Sequence, residues 1–496
     1  MKRIPSLRAY LDALDDLGDL RILRHEVDPE LELGATVRRA YETRAPAPLF
    51  ERVRGAAPGF RVLGAPAALS SRADQPFARL ALSLGLPPGS TPRDIMGVLS
   101  AAHDRPRIPP REVARADAPC KENVLLDDAV DLGRFPAPLL HDGDGGRYFN
   151  TWGTVVAATP DGSWTNWAVA RAMVLDRRRM TGAVVPTQHL GMIHRQWAER
   201  GQPMPFALAQ GCEPGVPIVS GMPFPAGVDE ADVLGGLFGE PVDVVRCETV
   251  PLSVPATAEI VVEGHLSHEE TAPEGPMGEY AGYLSGAPRP QPVYRVTAIT
   301  HRNDPILPVV VAGQPVDEDH TVSALTAAAE CLRVLRAADL PVEMAWVPLE
   351  TAGHWCVVTV RADWRQRYGS DPRELTRRIA ELVLATRFGA WMARIIVVDD
   401  DVDATDLGEV VWAFATRGHP RDGLLVFDAM PLLPLMVCYT AAERMAAEGP
   451  KLAHNCLLPA PGPDRPRRCS FEHNYPAEIR RRVLEREVTG RRPAAG

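Results

Sequence analysis

Apolar residues recur every three or four positions along the first 25 residues, the spacing of one face of an α-helix. The residues that carry this pattern are Leu7, Tyr10, Leu11, Leu14, Leu17 and Leu20. We therefore predict one amphipathic helix here, followed by helix and short-strand signals up to about residue 97. The stretch 104–120 is rich in proline and arginine and is predicted to be a linker.

Between residues 148 and 310 the periodicity shortens and strand-like runs dominate. The predicted strands lie at 151–159, 167–176, 180–186, 242–248, 259–266, 294–301 and 306–312. Helical spacing interrupts them at 190–200 and again at 230–238. This pattern predicts a mainly β middle domain with inserted helices, of the kind that closes into a barrel.

Helices and strands alternate after residue 318, which is typical of an α/β domain. The predicted elements are helices at 319–338, 372–386 and 405–417 and strands at 354–362 and 394–399. The last 80 residues are rich in proline and end in a basic helix. The predicted fold class is therefore a multi-domain α/β protein with a β-barrel at its centre.

Composition narrows the functional classes. The 496 residues carry 54 Lys and Arg against 64 Asp and Glu, which gives a net charge of -10. The sequence has no concentrated basic patch of the kind that binds nucleic acid. No apolar run reaches the roughly 18 residues that a membrane span needs, and the N-terminus lacks the apolar core of a signal peptide. Eight scattered cysteines without a C-x-x-C motif indicate reduced thiols. We expect a cytoplasmic protein without a membrane partner.

Two glutamates lie five positions apart in A-P-E-G-P-M-G-E-Y-A-G-Y, residues 272–283. Glycine and proline between them argue against a helix. Glu274 and Glu279 are either part of a solvated acidic loop or a pair of carboxylates held on a stiff loop for proton transfer.

Arg171 is the one charge in an apolar run. A strand over 165–176 would place on one face the alternate residues Trp167, Val169, Arg171, Met173 and Leu175. A buried guanidinium needs a partner because desolvating it alone is costly. Glu274 and Glu279 are candidate partners, either in a structural salt bridge or in a functional site.

Three other side chains suit a hard divalent cation. Asn166 lies in the same predicted strand, His189 opens a helix, and Glu230 lies in the first turn of another. Oxygen and nitrogen donors without thiolate favour Mg²⁺ or Mn²⁺, and three ligands leave positions for water or the phosphate of a cofactor. The alternatives are a hydrogen-bonded structural histidine and an acid that stabilises a helix N-terminus.

Five segments of this chain resemble the UbiD family of prenylated-flavin-dependent decarboxylases. They are T-N-W-A-V-A-R-A-M, P-T-Q-H, G-M-P-F-P-A-G-V-D-E-A-D, V-P-A-T-A-E-I-V-V-E-G and E-G-P-M-G-E-Y-A-G-Y, beginning at residues 165, 186, 221, 254 and 274. The resemblance covers nearly the whole chain. It implies an N-terminal α/β domain (1–120), a flavin-reductase-like split β-barrel that binds prenylated FMN (121–318) and a C-terminal α/β dimerisation domain (319–496). It also implies a homodimer or a larger homo-oligomer, and a separate flavin prenyltransferase that supplies the cofactor.

The resemblance further implies ligands for cofactor and metals. Asn166, His189 and Glu230 match the family's ligands for Mn²⁺ or Mg²⁺ at the flavin phosphate. Backbone carbonyls of Trp167, Ser220 and Met222 match a K⁺ site. The cofactor-binding positions are Asn166, Trp167, Ala168, Val169, Arg171, Gln188, His189, Met222, Glu230 and Arg387.

The catalytic residues implied by the resemblance are Arg171, Glu274 and Glu279. Glu279 would protonate the carbon vacated by CO2, while Glu274 and Arg171 would hold it in position. Arg171 would also meet the substrate carboxylate, and the flavin would supply the electrophilic chemistry.

Two positions depart from the family's pattern. Members often carry a lysine near the flavin phosphate where T-R-F-G places Arg387, which brings the same charge with a different geometry. Many relatives have histidine two positions after the proton donor, where this chain has Ala281. The small Ala281 predicts a roomier, more apolar pocket, and the loop 316–323 is predicted to border it.

The sequence therefore predicts reversible, non-oxidative decarboxylation of an α,β-unsaturated acid of the acrylic or polyenoic type, as in secondary metabolism. The alternative substrate is a heteroaromatic acid such as a pyrrole-, furan- or indole-carboxylate. Two other classes are a flavin-binding protein without turnover and a flavin reductase that uses unmodified FMN. The first has no need of all three catalytic residues, and the second lacks a nicotinamide-binding motif.

Overall fold

The computed structural model describes residues 2–284, 286–369, 371–460, 462–463 and 465–490, with the side chains of 487–490 left out. Within these residues the chain forms four sheets, of four, nine, three and five strands. The elements of the first part are α1 (Leu7–Asp16), β1 (Leu20–Val27), α2 (Glu32–Thr43), β2 (Ala47–Val53), β3 (Arg61–Gly64), α3 (Ala78–Ser83) and α4 (Pro92–Ala101).

The predicted 25-residue helix is shorter than expected. Helix α1 begins after Ser6, whose hydroxyl accepts a hydrogen bond from the Ala9 N–H (3.2 Å), and it ends at Asp16. Gly18 then takes a φ of 72°, which glycine adopts without steric cost, and the chain turns into β1. Leu20 therefore begins a strand and does not lie on the helix face.

The middle part contains most of the strands. Its elements are β4 (Arg111–Glu112), β5 (Asn123–Leu126), β6 (Tyr148–Asn150), β7 (Thr154–Ala158), β8 (Thr165–Val169), β9 (Ala172–Val174), β10 (Arg179–Thr181), α5 (His189–Ala198), β11 (Met204–Gln210), α6 (Gly215–Ser220), α7 (Glu230–Phe238), β12 (Asp243–Arg246), β13 (Ser253–Pro255), β14 (Ile260–Glu274), β15 (Arg289–His301) and β16 (Ile306–Val309). Short 3₁₀ turns occur at Arg115–Asp117, Pro119–Lys121, Asp127–Ala129 and Leu132–Arg134.

The nine-stranded sheet runs β6–β9–β10–β15–β14–β11–β7–β8, with β5 added beside β15, and curls into a half-barrel. Its strand pairs are antiparallel. The predicted mainly β middle domain with helices near 190–200 and 230–238 is confirmed by this sheet and by α5 and α7.

Several strand predictions for the middle part are wrong in detail. The run 167–176 breaks after Val169 into β8 and β9, so Trp167 is buried, Val169 is exposed and Arg171 lies on the connection. The predicted strand 306–312 shortens to β16, which joins the N-terminal sheet β1–β2–β3–β16 in place of the barrel. Within the predicted linker, β4 pairs with β12 in the small sheet β13–β12–β4.

The last part is the predicted α/β alternation with additional strands. Its elements are α8 (Glu318–Ala337), β17 (Val342–Trp346), β18 (Trp355–Val360), α9 (Trp364–Tyr368), α10 (Pro372–Leu384), β19 (Arg394–Asp399), α11 (Leu407–Arg417), β20 (Leu424–Pro431), α12 (Ala441–Ala446), β21 (Glu448–Cys456), α13 (Phe471–Asn474) and α14 (Ala477–Gly490), with 3₁₀ turns at Leu349–Thr351 and Arg387–Trp391. The sheet order is β17–β18–β19–β21–β20. Because α8 begins at Glu318, most of the predicted loop 316–323 is helical.

Two large hydrophobic cores join these parts. One contains barrel residues and the N-terminal sheet, and the other joins α4, α7, α8 and the last sheet. None of the helices in the described ranges has both the length and the apolar character needed to cross a bilayer. The eight cysteines are unpaired, as predicted.

Candidate active site

Arg171 joins the two glutamates of the stretch 272–283. Its Nε and Nη2 donate to the two oxygens of Glu274 at 2.7 and 2.9 Å, and its Nη1 donates to Glu279 Oε1 at 2.5 Å. The side chains of Arg171, Glu274 and Glu279 are 21%, 4% and 11% exposed. The predicted pairing is therefore confirmed, and the arginine is the most exposed of the three side chains.

The two carboxylates of this cluster have different surroundings. Glu274 accepts both arms of the guanidinium fork and a third hydrogen bond from Tyr148 Oη (3.0 Å). Among the described residues, Glu279 accepts from Arg171 through Oε1 only, which leaves Oε2 without a donor. Glu274 is thus a structural anchor for the arginine, while Glu279 keeps one oxygen for a ligand.

Burial and ion pairing act in opposite directions on the cluster's basic side chain. Burial on its own lowers the pKa of Arg171. Its hydrogen bonds with Glu274 and the charge of Glu279 raise the pKa by more than burial lowers it, so the guanidinium stays charged. Burial, followed by the charge of Glu274, raises the pKa of Tyr148. The tyrosine therefore remains a neutral donor to Glu274.

The backbone between the two glutamates is fixed by a neighbouring loop. The end of β14 places Glu274, and the Gly278 N–H donates to Asp144 Oδ1 (3.0 Å). A side chain at Gly278 would lie 2.6 Å from the His141 ring, so only glycine permits this close approach. The Glu279 N–H donates to the Tyr283 carbonyl (3.0 Å). The carboxylates therefore lie on a supported segment, as the stiff-loop interpretation predicts, although Glu274 itself ends a strand.

The three predicted metal ligands come together at the other end of β8. Glu230 accepts hydrogen bonds from Asn166 Nδ2 (3.0 Å) and from the Trp167 N–H (2.8 Å). His189 Nδ1 lies 4.0 Å from Glu230 Oε1, and the His189 ring packs edge-on against Trp164. Asn166 Oδ1 is buried and has no hydrogen-bond partner. This orphaned oxygen beside a carboxylate and an imidazole fits a hard cation.

The electrostatics of this second cluster suit a cation. Burial, followed by the charge of Arg387, lowers the pKa of His189 to about 4, so its imidazole is neutral at pH 7 and free to bind a metal. Burial raises the pKa of Glu230 to about 7, against the hydrogen bonds from Trp167 and Asn166. An uncompensated buried carboxyl next to a neutral imidazole is stabilised by a positive ion.

Arg387 supplies a positive group near this cluster. The residue is exposed and forms no ion pair with the described part of the chain, yet the charge of Glu230 acts on it. Partial desolvation lowers the pKa of Arg387 although the residue is solvent-accessible, and the charge of Glu230 acts in the opposite direction. A free guanidinium near a candidate metal site is suited to a phosphate.

The remaining predicted cofactor residues lie on the same elements. Ala168 and Val169 continue β8 as half-buried and exposed residues, and Gln188 precedes α5. The Ser220 hydroxyl contacts Thr154 Oγ1 (3.0 Å), and the Met222 carbonyl accepts from the Phe224 N–H (3.0 Å). Nothing in this geometry tests the K⁺ site, which stays a prediction.

Asn166 and Arg171 are five residues apart, so roughly 17 Å of extended chain at most separates the two clusters.

A third group of residues lines a small pocket at the start of α8. Asp319, His320 and Ser323 of α8 line it together with Phe388, Trp391 and Met392. The Tyr280 ring packs against Trp391 at 4.7 Å, and the Tyr280 carbonyl accepts from His320 Nε2 (2.8 Å). The only sequence signal for this pocket was the expectation that 316–323 borders the substrate.

Lys451 supports the segment that carries both Arg387 and Trp391. Its buried ammonium donates to the carbonyls of Gly389 and Met392, at 2.7 Å for Met392. Burial lowers the pKa of Lys451 to about 8. The 3₁₀ turn Arg387–Trp391 therefore carries both the arginine whose charge acts on His189 and the tryptophan that lines the pocket.

Comparison with known proteins identifies relatives of this arrangement. Family models of 3-octaprenyl-4-hydroxybenzoate carboxy-lyase match three consecutive stretches: the N-terminal domain at 11–99, the Rift-related domain at 111–315 and the C-terminal domain at 320–456. Together these matches cover most of the chain.

Two enzymes are similar over almost their full length. Pyrrole-2-carboxylic acid decarboxylase of Pseudomonas aeruginosa is 46% identical over 481 residues, which cover 97% of each chain. Ferulic acid decarboxylase 1 of Saccharomyces cerevisiae is 37% identical over 489 residues, which cover 96% of each chain.

The fold is similar to that of the UbiD-class enzyme HmfF from Pelotomaculum thermopropionicum. Its complex with FMN has a TM-score of 0.81 at 28% identity and covers 94% of this chain and 97% of that one. An evolved dimeric form in complex with prFMN has a TM-score of 0.77 at 28% identity and covers 92% and 95%.

Proposed function

The chain belongs to the UbiD family of carboxy-lyases, and we propose that it uses prenylated FMN to remove CO2 from a heteroaromatic acid of the pyrrole, furan or indole type. The sequence favoured an open-chain acid, with the ring acid as the alternative. The 46% identity with a pyrrole-2-carboxylic acid decarboxylase supports the ring acid better. The two enzymes that this chain resembles over almost its full length are both decarboxylases, so we set aside the flavin-binding protein without turnover and the flavin reductase.

The observation that carries the chemical proposal is the asymmetric cluster of one arginine and two glutamates. Arg171, held by Glu274, has a side chain that is 21% exposed and is suited to orient the substrate carboxylate. Glu279 retains Oε2 for a proton that it gives to the carbon from which CO2 departs. Prenylated FMN, when bound, supplies the electrophilic centre that accepts the substrate's electrons.

We assign the cofactor phosphate to the cluster at the other end of β8. Asn166 Oδ1, His189 and Glu230 would hold Mn²⁺ or Mg²⁺, and Arg387 would meet the phosphate. The cofactor would come from a flavin prenyltransferase. A homo-oligomer built through the C-terminal part is supported by its exposed apolar side chains Val426, Val437 and Met445.

A second candidate substrate class is the acrylic type, because the chain is also 37% identical to a ferulic acid decarboxylase. The half-buried Ala281 lies two residues beyond Glu279 and leaves more space than a histidine would. A panel of pyrrole-2-carboxylic, furoic, sorbic and cinnamic acids distinguishes the two classes. The protein is co-expressed with a flavin prenyltransferase, CO2 release is followed, and bound flavin is identified by mass spectrometry. Turnover of only the open-chain acids contradicts the proposed substrate.

Removing a proposed metal ligand is expected to empty the cofactor site. His189→Ala and Glu230→Ala each remove one of few protein ligands, so flavin occupancy after purification should fall by at least about tenfold. Asp232→Ala is the matched control, since this acid lies in the same first turn of α7 outside the cluster. Occupancy is read from flavin absorbance per protein, and normal occupancy in both ligand variants would reject the metal–phosphate site.

A further inference from the structure

Arg171 lies at a break between two strands of the barrel sheet. Together with Ala170 it connects β8 to β9 and belongs to neither strand. The last residue of β8 pairs with Thr154 of β7, whereas the first residue of β9 pairs with Asn150 of β6. The chain therefore changes partner strands within two residues, and the polar backbone groups of this crossing need hydrogen-bond partners outside the regular ladders.

The side chain of Asn150 fills the gap beside this crossing. Asn150 is 1% exposed, and its Nδ2 donates to the Ala170 carbonyl at 2.5 Å and to the Gly153 carbonyl at 3.4 Å. Its Oδ1 accepts from the Gly153 N–H at 2.6 Å. One buried carboxamide thus ties the residue before Arg171 to the turn between β6 and β7.

A second buried amide fixes the orientation of this carboxamide. Gln210 ends β11, and its Nε2 donates to Asn150 Oδ1 at 2.9 Å and to the Phe149 carbonyl at 2.8 Å. The Asn150 oxygen therefore has two donors and its nitrogen has two carbonyls, which satisfies a side-chain amide completely. An oxygen in place of that nitrogen would face the carbonyls of Ala170 and Gly153 and repel both.

Strand β6 supports the arginine–glutamate cluster at two points. Tyr148 Oη donates to Glu274 Oε1 at 3.0 Å, and Asn150, two residues further on, holds the backbone beside Arg171. The register of β6 against β9 shifts by one residue between these two positions, as in a β-bulge. A bulge redirects the side chains around it. Here the two side chains reach the two ends of one ion pair, the carboxylate of Glu274 and the main chain that carries the guanidinium.

We infer that Asn150 is a positioning residue for decarboxylation, because it holds the Ala170 carbonyl and thereby aims the guanidinium of Arg171. The inference rests on the proposed function, yet it does not depend on the class of acid, since the arginine would orient any carboxylate. Asn150 acts through the backbone and not on the substrate. Without its hydrogen bond the crossing at Ala170 relaxes, and Arg171 loses the geometry that serves Glu274 and Glu279 together.

Two substitutions at Asn150 test this role. Asn150→Asp keeps the shape and turns the donor into an oxygen, and Asn150→Ala removes the carboxamide. Both should lower kcat/KM by at least about 30-fold on enzyme loaded with prenylated FMN, measured with whichever acid of the panel the wild type turns over. Flavin occupancy should stay within about twofold of wild type, because the candidate phosphate cluster lies at the other end of β8. Activity within about threefold of wild type in both loaded variants overturns the inference.

A double-variant comparison separates positioning from a purely structural role. In an Arg171→Lys background, which lacks the planar fork, Asn150→Ala should cost less than about threefold in kcat/KM. A residue that only stabilises the fold would lower activity by the same factor in both backgrounds, and that result also overturns the inference. Asn150→Ser retains a shorter donor and keeps the test valid if the other two variants fold poorly, since its loss of activity should likewise shrink in the lysine background.

Asn123→Ala is the matched control on β5 of the same sheet. Asn123 pairs with His301, at the opposite end of β15 from the position that pairs with Glu274. Its Nδ2 donates to the His301 carbonyl at 3.1 Å and to Asn303 Oδ1 at 3.0 Å, so the substitution removes the same kind of hydrogen bond away from the cluster. Turnover should stay within about twofold of its parent in both backgrounds. An equal loss in Asn123→Ala and Asn150→Ala would show a general effect of the sheet and overturn the positioning role.

Crystal structures of wild type and Asn150→Asp distinguish the failure of this inference from the failure of the proposed function. If the wild type releases CO2 from none of the acids, but the guanidinium of Arg171 leaves Glu279 in the variant, the proposed reaction fails and the placement of the arginine by Asn150 stands. If the wild type turns over an acid, and the variant keeps both its activity and the contact between Arg171 and Glu279, the proposed reaction stands and the inference fails.

Discussion

Glu279→Gln is expected to keep the cofactor and lose decarboxylation by about 10²–10⁴-fold, the usual contribution of a positioned acid. The amide has the same shape, and its oxygen still accepts from Arg171 Nη1, so the cluster survives. It has no acidic proton to give to the carbon vacated by CO2. The measurement is single-turnover CO2 release from loaded enzyme, with flavin occupancy recorded on the same sample.

The matched control for this prediction is Glu270→Gln on the same strand, β14. Glu270 pairs with Arg179 and Arg295 at the surface, at 2.9 and 2.6 Å, so its loss should leave turnover within about twofold. Near-normal decarboxylation by Glu279→Gln would exclude its role as proton donor. Loss of flavin together with activity would show instead that the glutamate supports the binding site.

The pairing of Arg171 was predictable because one charge in an apolar run needs a counter-ion. Its position was not, since the strand pattern 165–176 continues through the break at Ala170 and Arg171. The break follows from a change of pairing partners, as β8 pairs with β7 and β9 with β6 and β10. Such long-range partners leave no trace in local periodicity.

Strand β11 shows the same limit in the barrel. Met204–Gln210 is buried along its whole length between β7 and β14, so it lacks the alternation that marks a half-buried strand. The extension of β14 to Glu274 also went unpredicted, because Thr271–Glu274 pair with Arg289–Pro292 only after a shift in register. The position of Glu274 therefore depends on the pairing of β14 with β15, which the sequence around Glu274 does not predict.

The loop 316–323, which contains Asp319, was predicted to border the pocket, but the residues opposite it were beyond sequence reasoning. Its pocket is built from α8, the segment from Val347 to Gly353 and the turn Arg387–Trp391, which lie up to 72 positions apart. An acid in the first turn of a helix usually indicates only a favourable helix dipole. Glu230 also lies in the first turn of a helix, so its local pattern is the same. Only the resemblance to a known family identified it as a candidate metal ligand and not merely as an acid that stabilises a helix N-terminus.

Arg171→Met should destabilise the protein and abolish turnover together. The substitution leaves Glu274 and Glu279 close together without their common cation, and removing one partner of a buried pair costs roughly 3–5 kcal/mol. We expect the low end of that range, because the guanidinium is 21% exposed. Activity should fall by at least about 100-fold, since Glu279 loses its only described donor.

Arg171→Lys and Arg179→Met distinguish charge from geometry in this prediction. Lysine restores one positive charge but cannot bridge two carboxylates with a planar fork, so stability should return further than activity. Arg179 pairs with Asp176 and Glu270 at the surface, and its loss should cost less than about 1 kcal/mol.

Thermal and urea unfolding of a double variant completes the argument. Glu279→Gln removes one of the two negative charges that face each other in Arg171→Met, so the deficit in unfolding free energy relative to wild type should be smaller in the double variant than in Arg171→Met. A deficit of equal size in the double variant would mean that the arginine stabilises the site by packing and not by charge. Full turnover in Arg171→Met would leave no role for the cluster in catalysis, because this one guanidinium joins Glu274 to Glu279.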